Sequence, residues 1–347
     1  MKKYAIYLMA LLTGVAFAMS THRCEAQTVD ELKIKVQQLE AKNSSLESKL
    51  KQCRQGNKNS AEQERQMDVL RDEITRLTNV INQKEADEVA RIQSEEAKKQ
   101  VTIKIADDNF RNYLMRFCDM DNDGVLTQWD AEHTYVIDIT RDKSILKLKD
   151  SNPVASLSGI EYFINLKRLV CSGNPIPQMD LSNNVQLETL IANSCDLKLL
   201  DVSKNVNLVK LEANNNLLYT IDLKTNSRLE KLDLYKNKMT SIDLSGCTQL
   251  KTLMCADNTL TTLDVSNNVA LEAIDCSNNK LTQLSFDKNV NLVNINCSSN
   301  SLTNIDLQNG QDIRYLDCSR NKNLQYVVLS KGKRVFEDKK DSKTYYK

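Results

Sequence analysis

Oxygen-bearing side chains alternate along one short stretch of the chain, Asp119-Met120-Asp121-Asn122-Asp123-Gly124. A hard divalent cation takes several oxygen ligands, and alternate acidic residues with a glycine at the sharp turn supply them. With Asp119 at position 1, Asp121, Asp123, Thr127 and Asp130 fall at positions 3, 5, 9 and 12, and the Val125 carbonyl falls at position 7. The expected ion is calcium, held by Asp119, Asp121, Asp123, Val125, Thr127 and Asp130. Asp130 stands where glutamate is usual and is one methylene shorter, so the affinity expected is modest. The alternative is an acidic turn that holds no ion.

The loop resembles that of an EF-hand, and in its final aspartate it is similar to the loops of dockerin modules. Other chemistry is sparse. Catalysis needs a nucleophile, a base and an orienting group. The two histidines are His22 and His133, and His133 forms with Cys118 the one other Cys/His pair close in sequence. That pair flanks the acidic loop, and packing is its expected role. Eight scattered glycines form no phosphate-cradling loop, and the cysteines lack zinc-type spacing. A non-enzymatic protein is expected. Lys and Arg number 47 against 46 Asp and Glu, with no basic stripe interleaved with aromatics, so no nucleic-acid partner is expected.

Three regions must position these residues. Lys2 and Lys3 followed by an apolar run to Ala18, closing on Ala16-Phe17-Ala18, read as a signal peptide over 1–18, with cleavage possible up to 26. Export to the periplasm, cell surface or exterior of a bacterium is expected, and no segment is apolar enough to span a membrane. Arg23 stands where a lipid-attached Cys24 would want a small residue. Residues 28–100 have coiled-coil composition, with Val29, Val36, Asn43 and Leu50 at position a and Leu32, Leu39, Leu46 and Cys53 at d. The register breaks near 56–60, and Met67, Ile74 and Ile81 then alternate with Leu70 and Leu77. Two helical pieces are predicted. They form either a parallel homodimer through the first piece, with Cys53 facing its mate, or an intramolecular hairpin with the 61–92 helix. Residues 101–144 are expected to form a helical cap, with a short helix around Phe110, Tyr113, Leu114 and Phe117 beside the acidic loop.

From Leu166 an aliphatic residue recurs at 187, 208, 229, 250, 271, 292 and 313, a period of 21 without insertion. The unit Leu271-Glu-Ala-Ile274-Asp-Cys276-Ser-Asn-Asn279-Lys-Leu281 carries the leucine-rich-repeat signature. The expected fold is a repeat solenoid over 145–330: a curved leucine-rich-repeat horseshoe with a parallel β-sheet on its concave face, preceded by the coiled coil and followed by a C-terminal cap or tail at 331–347. Asparagines at position 9 (Asn174, Asn216, Asn237, Asn258, Asn279, Asn300, Asn321) turn the chain, with Cys195 in that place in the second repeat. The aspartates at position 15 serve the second turn. Cys171, Cys255, Cys276, Cys297 and Cys318 occupy inward position 6; their parallel Cβ vectors argue for buried free thiols rather than disulfides.

A 21-residue repeat of the form L-x-x-L-x-C-x-x-N-x-L resembles the cysteine-ladder internalins and secreted bacterial leucine-rich-repeat proteins. The resemblance covers about 145–330 and implies surface adhesion or protein binding. Along each strand, positions 3, 5 and 7 point into the concave face. The predicted partner surface, for a protein or glycoprotein ligand, is Arg168, Val170, Ile191, Lys210, Glu212, Lys231, Asp233, Tyr235 and Met254. Val170 and Ile191 could instead be covered by the cap or the coil. The competing reading is a structural coiled-coil spacer or envelope scaffold with the repeats as a rigid head.

Overall fold

The computed structural model describes residues 34, 36–38, 40, 41, 44, 45, 48, 60–141, 152–308, 310, 312–340, 345 and 346. The signal segment, Cys24, Cys53 and all first-coil heptad positions except Val36 lie outside the described residues. The chain divides into two compact units, Met1–Lys98 and Lys99–Lys347. Among the described residues no helix is long and apolar enough to cross a membrane.

In the first unit, helix α1 spans Ser60–Lys99, longer than the 61–92 expected. Its sequence carries no glycine or proline, and ion pairs such as Arg71–Asp68, Arg76–Glu73 and Arg91–Glu88 link successive turns. Such exposed pairs contribute little, so side-chain packing must fix the helix. Met67, Leu70, Leu77 and Ile81 are buried, and Val36 clusters with Leu77 and Ile81, with Ile74 packed against them. Val36 of the first helical piece is thus packed within the chain.

In the second unit, helix α2 (Asp108–Phe117) is amphipathic, with Phe110 and Leu114 buried and Asp107 as its N-cap. Helix α3 spans Gln128–Glu132. Strand β1 (Val136–Asp138) then pairs in parallel with β2 (Arg168–Val170). The sheet therefore starts ahead of the 145 boundary read from the repeats, because β1 lies outside their period. One three-residue strand per coil follows: β3 (Thr189–Ile191), β4 (Lys210–Glu212), β5 (Lys231–Asp233), β6 (Thr252–Met254), β7 (Ala273–Asp275) and β8 (Asn294–Asn296). Strands β9 (Asn304–Leu307), β10 (Ile313–Asp317), β11 (Tyr326–Leu329), β12 (Val335–Lys339) and β13 (Tyr345–Tyr346) complete the chain.

Ten parallel strands form the main sheet, in the order β1 to β8, β10, β12, and β13-β11-β9 form a second, three-stranded one. The 331–347 tail therefore adds a strand to each sheet. This is a leucine-rich-repeat solenoid. Position 4 is buried and positions 3 and 5 are half-buried in β3 to β8, since a strand alternates its faces. One continuous core runs from Ile103 and Phe110 of the cap through Phe163 and the leucines to Val327. A single coil could not bury such a face alone; stacking does.

Position 8 of every coil adopts the left-handed conformation: Gly173, Ser194, Asn215, Lys236, Asp257, Asn278, Ser299 and Arg320 all have positive φ. That turn ends the strand and delivers the position 9 amide into the core. Asn258 shows the pattern: its Nδ2 donates to the carbonyls of Leu234 (2.9 Å) and Cys255 (3.1 Å), and its Oδ1 accepts from Met239 N–H (3.0 Å). A second asparagine column, at position 19, is formed by Asn184, Asn205, Asn226, Asn268 and Asn289, whose Nδ2 groups donate to two carbonyls of the preceding coil. Cys247 takes that place in one coil. The position 15 aspartates cap the second turn as expected, each Oδ1 accepting the N–H two residues on in Asp180, Asp201, Asp222, Asp243 and Asp264.

Candidate functional site

The acidic loop is framed by short antiparallel pairing, with Ile103 N–H donating to Leu126 O (3.0 Å) and Gln128 N–H to Val101 O (2.8 Å). Positive φ at Asn122 and Gly124 folds the loop back on itself. Carboxylate oxygens of Asp119, Asp121 and Asp123 come within 4.8 Å of one another. Asp119 Oδ2 accepts from Gly124 N–H (3.0 Å), whereas its Oδ1 is buried without a hydrogen-bond partner. A cation would satisfy that oxygen. The other candidate ligands are placed differently. Asp130 is fully buried, and its carboxylate accepts from Met120 N–H (2.9 Å), Thr127 N–H (2.9 Å) and the Thr127 hydroxyl (2.6 Å). Thr127 and Asp130 form the capping box of α3, because a buried helix start must satisfy its free N–H groups. Val125 is exposed. Three of the six expected ligands are thus brought together, and Thr127 and Asp130 are committed to the helix start.

Cys118 and His133 do not form an activated pair. Burial pushes the Cys118 thiol up to about 12. His133 Nδ1 bonds to Trp129 O (2.7 Å), and its ring lies against Trp129. Burial likewise pushes the thiols of Cys255, Cys276 and Cys297 well up, which leaves them as small apolar groups rather than nucleophiles.

On the outward face of the main sheet, parallel register aligns two columns. Val136, Arg168, Thr189, Lys210, Lys231 and Thr252 form one; Asp138, Val170, Ile191, Glu212, Asp233 and Met254 form the other. Val170 is only 5% exposed, flanked by Asp138 of β1 and Ile191 of β3. It is therefore unavailable to a partner, contrary to the expectation from sequence. Val136, at 46% exposed, takes over as the apolar residue at that end. It escaped the sequence reading because β1 is off the 21-residue period. Ile191 and Met254 are half-buried and Tyr235 is exposed.

Lys210 pairs with Glu212 of its own strand, and Lys231 reaches back to Glu212 rather than pairing with Asp233. Glu212 is clamped by both lysines, at 3.0 Å from Lys210 Nζ and 2.6 Å from Lys231 Nζ. Burial works to raise the Glu212 pKa, but the hydrogen bonds from Lys231 and Lys210 outweigh it and hold the carboxyl below its usual range. Asp233 instead accepts from Asn214 Nδ2 (2.8 Å). The Asp257 carboxylate beside Tyr235 raises the phenol's pKa. Farther along, polar side chains satisfy one another: Asn296 with Asp275, Ser277 with Asp275, Ser298 with Asn296 and Ser319 with Asp317. Apolar contact area on this face is thus concentrated on the N-terminal coils.

A family model described as leucine-rich repeats in two copies matches residues 227–268. Among solved structures, the functional domain of InlJ from Listeria monocytogenes, which includes a cysteine ladder, is similar to 64% of this chain over 54% of its own, at 27% identity and a TM-score of 0.50. A leucine-rich-repeat protein of Leptospira interrogans is 17% identical, over 62% of this chain and 72% of that one, with a TM-score of 0.44. The internalin InlF of Listeria monocytogenes is 16% identical, over 69% and 94%, with a TM-score of 0.30. The chain spans about half the length of the InlJ domain. No curated protein matches it. The repeat region is internalin-like, and its fold is that of a leucine-rich-repeat solenoid.

Proposed function

We propose that this leucine-rich-repeat chain acts outside the cytoplasm as a protein-binding module, with its partner on the N-terminal half of the main sheet. One observation carries this reading: Val136, Ile191, Tyr235 and Met254 lie on one open face, interleaved with Arg168 and the Lys210–Glu212–Lys231 cluster. Apolar side chains rimmed by charge mark interaction sites, and solenoids present such faces as extended binding surfaces. The 1–18 segment supports export. The helical region is read as a carrier of the head; a parallel homodimer through it would require Val36 to leave Leu77 and Ile81. Ile191→Asp and Tyr235→Ala should each weaken a captured protein ligand by more than about 1 kcal/mol, with unchanged thermal melting. Wild-type affinity in the double variant refutes the placement.

The same reading assigns calcium to the acidic loop. Asp119, Asp121 and Asp123 would hold the ion, whose positive charge would offset their mutual repulsion and so stiffen the loop. Titration calorimetry of the protein should give a Kd of about 10⁻⁴ to 10⁻³ M, lost in Asp119→Ala/Asp123→Ala. Identical heats from the two proteins would exclude the site.

A further inference from the structure

Two departures from the repeat pattern coincide in space. The position 9 column is asparagine at Asn174, Asn216, Asn237, Asn258, Asn279, Asn300 and Asn321, and Cys195 alone interrupts it. At position 6, Ala192, Ala213 and Leu234 separate Cys171 from the run of Cys255, Cys276, Cys297 and Cys318. A position 9 side chain lies over the position 6 residue of the coil before it, as Asn216 Nδ2 to Ala192 O (2.8 Å) and Asn237 Nδ2 to Ala213 O (2.9 Å) show. The single cysteine at position 9 therefore falls on the isolated cysteine at position 6. Cys195 Sγ lies 3.3 Å from the Cys171 carbonyl oxygen, and the Cys195 thiol together with burial pushes the Cys171 thiol well up. Both are free and fully buried. Thiols in one column have parallel Cβ vectors and cannot converge, but these two come from different columns, so that restriction does not apply.

We propose that Cys171 and Cys195 form a disulfide that staples the first two coils when the chain folds in an oxidising compartment. The source of oxidant rests on the export reading above. The chemistry is thiol–disulfide exchange with a donor disulfide, either small-molecule or protein-borne. One cysteine thiolate attacks the donor and releases its first thiol. The second cysteine then attacks the mixed disulfide, closing the S–S bond and releasing the second thiol. The protein loses two electrons and two protons, and the donor gains both. Because the sulfurs end up buried, closure must precede completion of the core, and the finished bond is shielded from reductant. A link of this kind constrains the unfolded chain and raises stability.

The test is to refold the reduced protein in a mixture of oxidised and reduced glutathione, alkylate it in denaturant and map its peptides. The expected result is one linked peptide joining Cys171 to Cys195 in most of the protein, with a melting temperature above that of the reduced form. Cys195→Asn restores the column's usual residue and should fold with melting that no longer responds to redox state. Complete alkylation of both cysteines after refolding, or links only to other cysteines, overturns the pair. If the link forms in glutathione but both thiols are free in protein taken from its source organism, the pair stands and the export reading falls.

Discussion

Asn258→Ala should destabilise the repeat unit by about 1–3 kcal/mol, the cost of one buried polar group left unpaired. The substitution leaves Met239 N–H without its acceptor inside the stack, and it leaves the Leu234 and Cys255 carbonyls with one asparagine donor each, from Asn237 and Asn279. Leu234, Cys255 and Met239 are themselves fully buried, so water cannot replace the lost bonds without opening the coil. Asn258→Asp sharpens the test. It keeps an acceptor for Met239 but turns a second oxygen toward two carbonyls. Burial and those carbonyls would raise its folded-state pKa above the unfolded value. The deficit should therefore be fullest above the folded pKa and shrink as pH falls through it, where a protonated carboxyl can donate. Urea unfolding of the wild type and both variants at two pH values measures this. A midpoint unmoved by Asn258→Ala would show that the asparagine column does not hold the coils together.

Asp107→Ala should cost about 2–3 kcal/mol by loss of an N-cap and two further hydrogen bonds, and the loss should be confined to the N-terminal cap. Oδ1 of Asp107 accepts from Asn109 and Phe110 N–H (both 2.9 Å), while Oδ2 accepts from Ala155 (2.8 Å) and Ser156 (3.2 Å) N–H. One carboxylate thus starts helix α2 and ties it to the chain entering the first repeat. Solenoid coils interact with their nearest neighbours. Hydrogen exchange should therefore quicken in α2 and around 154–163 while β5 to β8 keep their protection. Uniform loss of protection along the sheet would contradict this, and unchanged exchange in α2 would show that the cap is held by its apolar contacts alone.

The fold was legible because its signal is redundant. Leu166, Leu187, Leu208 and their successors repeat at a fixed interval, and identical side chains at equivalent places must meet equivalent surroundings in the stack. From that alone followed the parallel sheet, the inward cysteines and the turn asparagines. The column at Asn184, Asn205, Asn226, Asn268 and Asn289 carries the same interval and was equally readable, though passed over. Strand β1 was not readable, because it breaks the period and belongs to the sheet only through its pairing with Arg168–Val170. The left-handed turn at position 8 left almost no trace either. Lys236, Asp257 and Arg320 share no side-chain chemistry, and stacking rather than local preference imposes their backbone.

At the candidate sites the division is the same. Strand alternation sets which residues reach the open face, and their spacing along the chain puts Asp119, Asp121 and Asp123 in one loop. Packing in three dimensions makes Asp130 turn to Met120 and Thr127, makes Glu212 bind Lys231 of the next coil, and covers Val170 while leaving Val136 open. The physical reason is that a polar group takes the partner nearest in space. In a solenoid that partner lies one coil away, where the periodic pattern fixes which face a residue occupies but not which neighbour completes its hydrogen bonds.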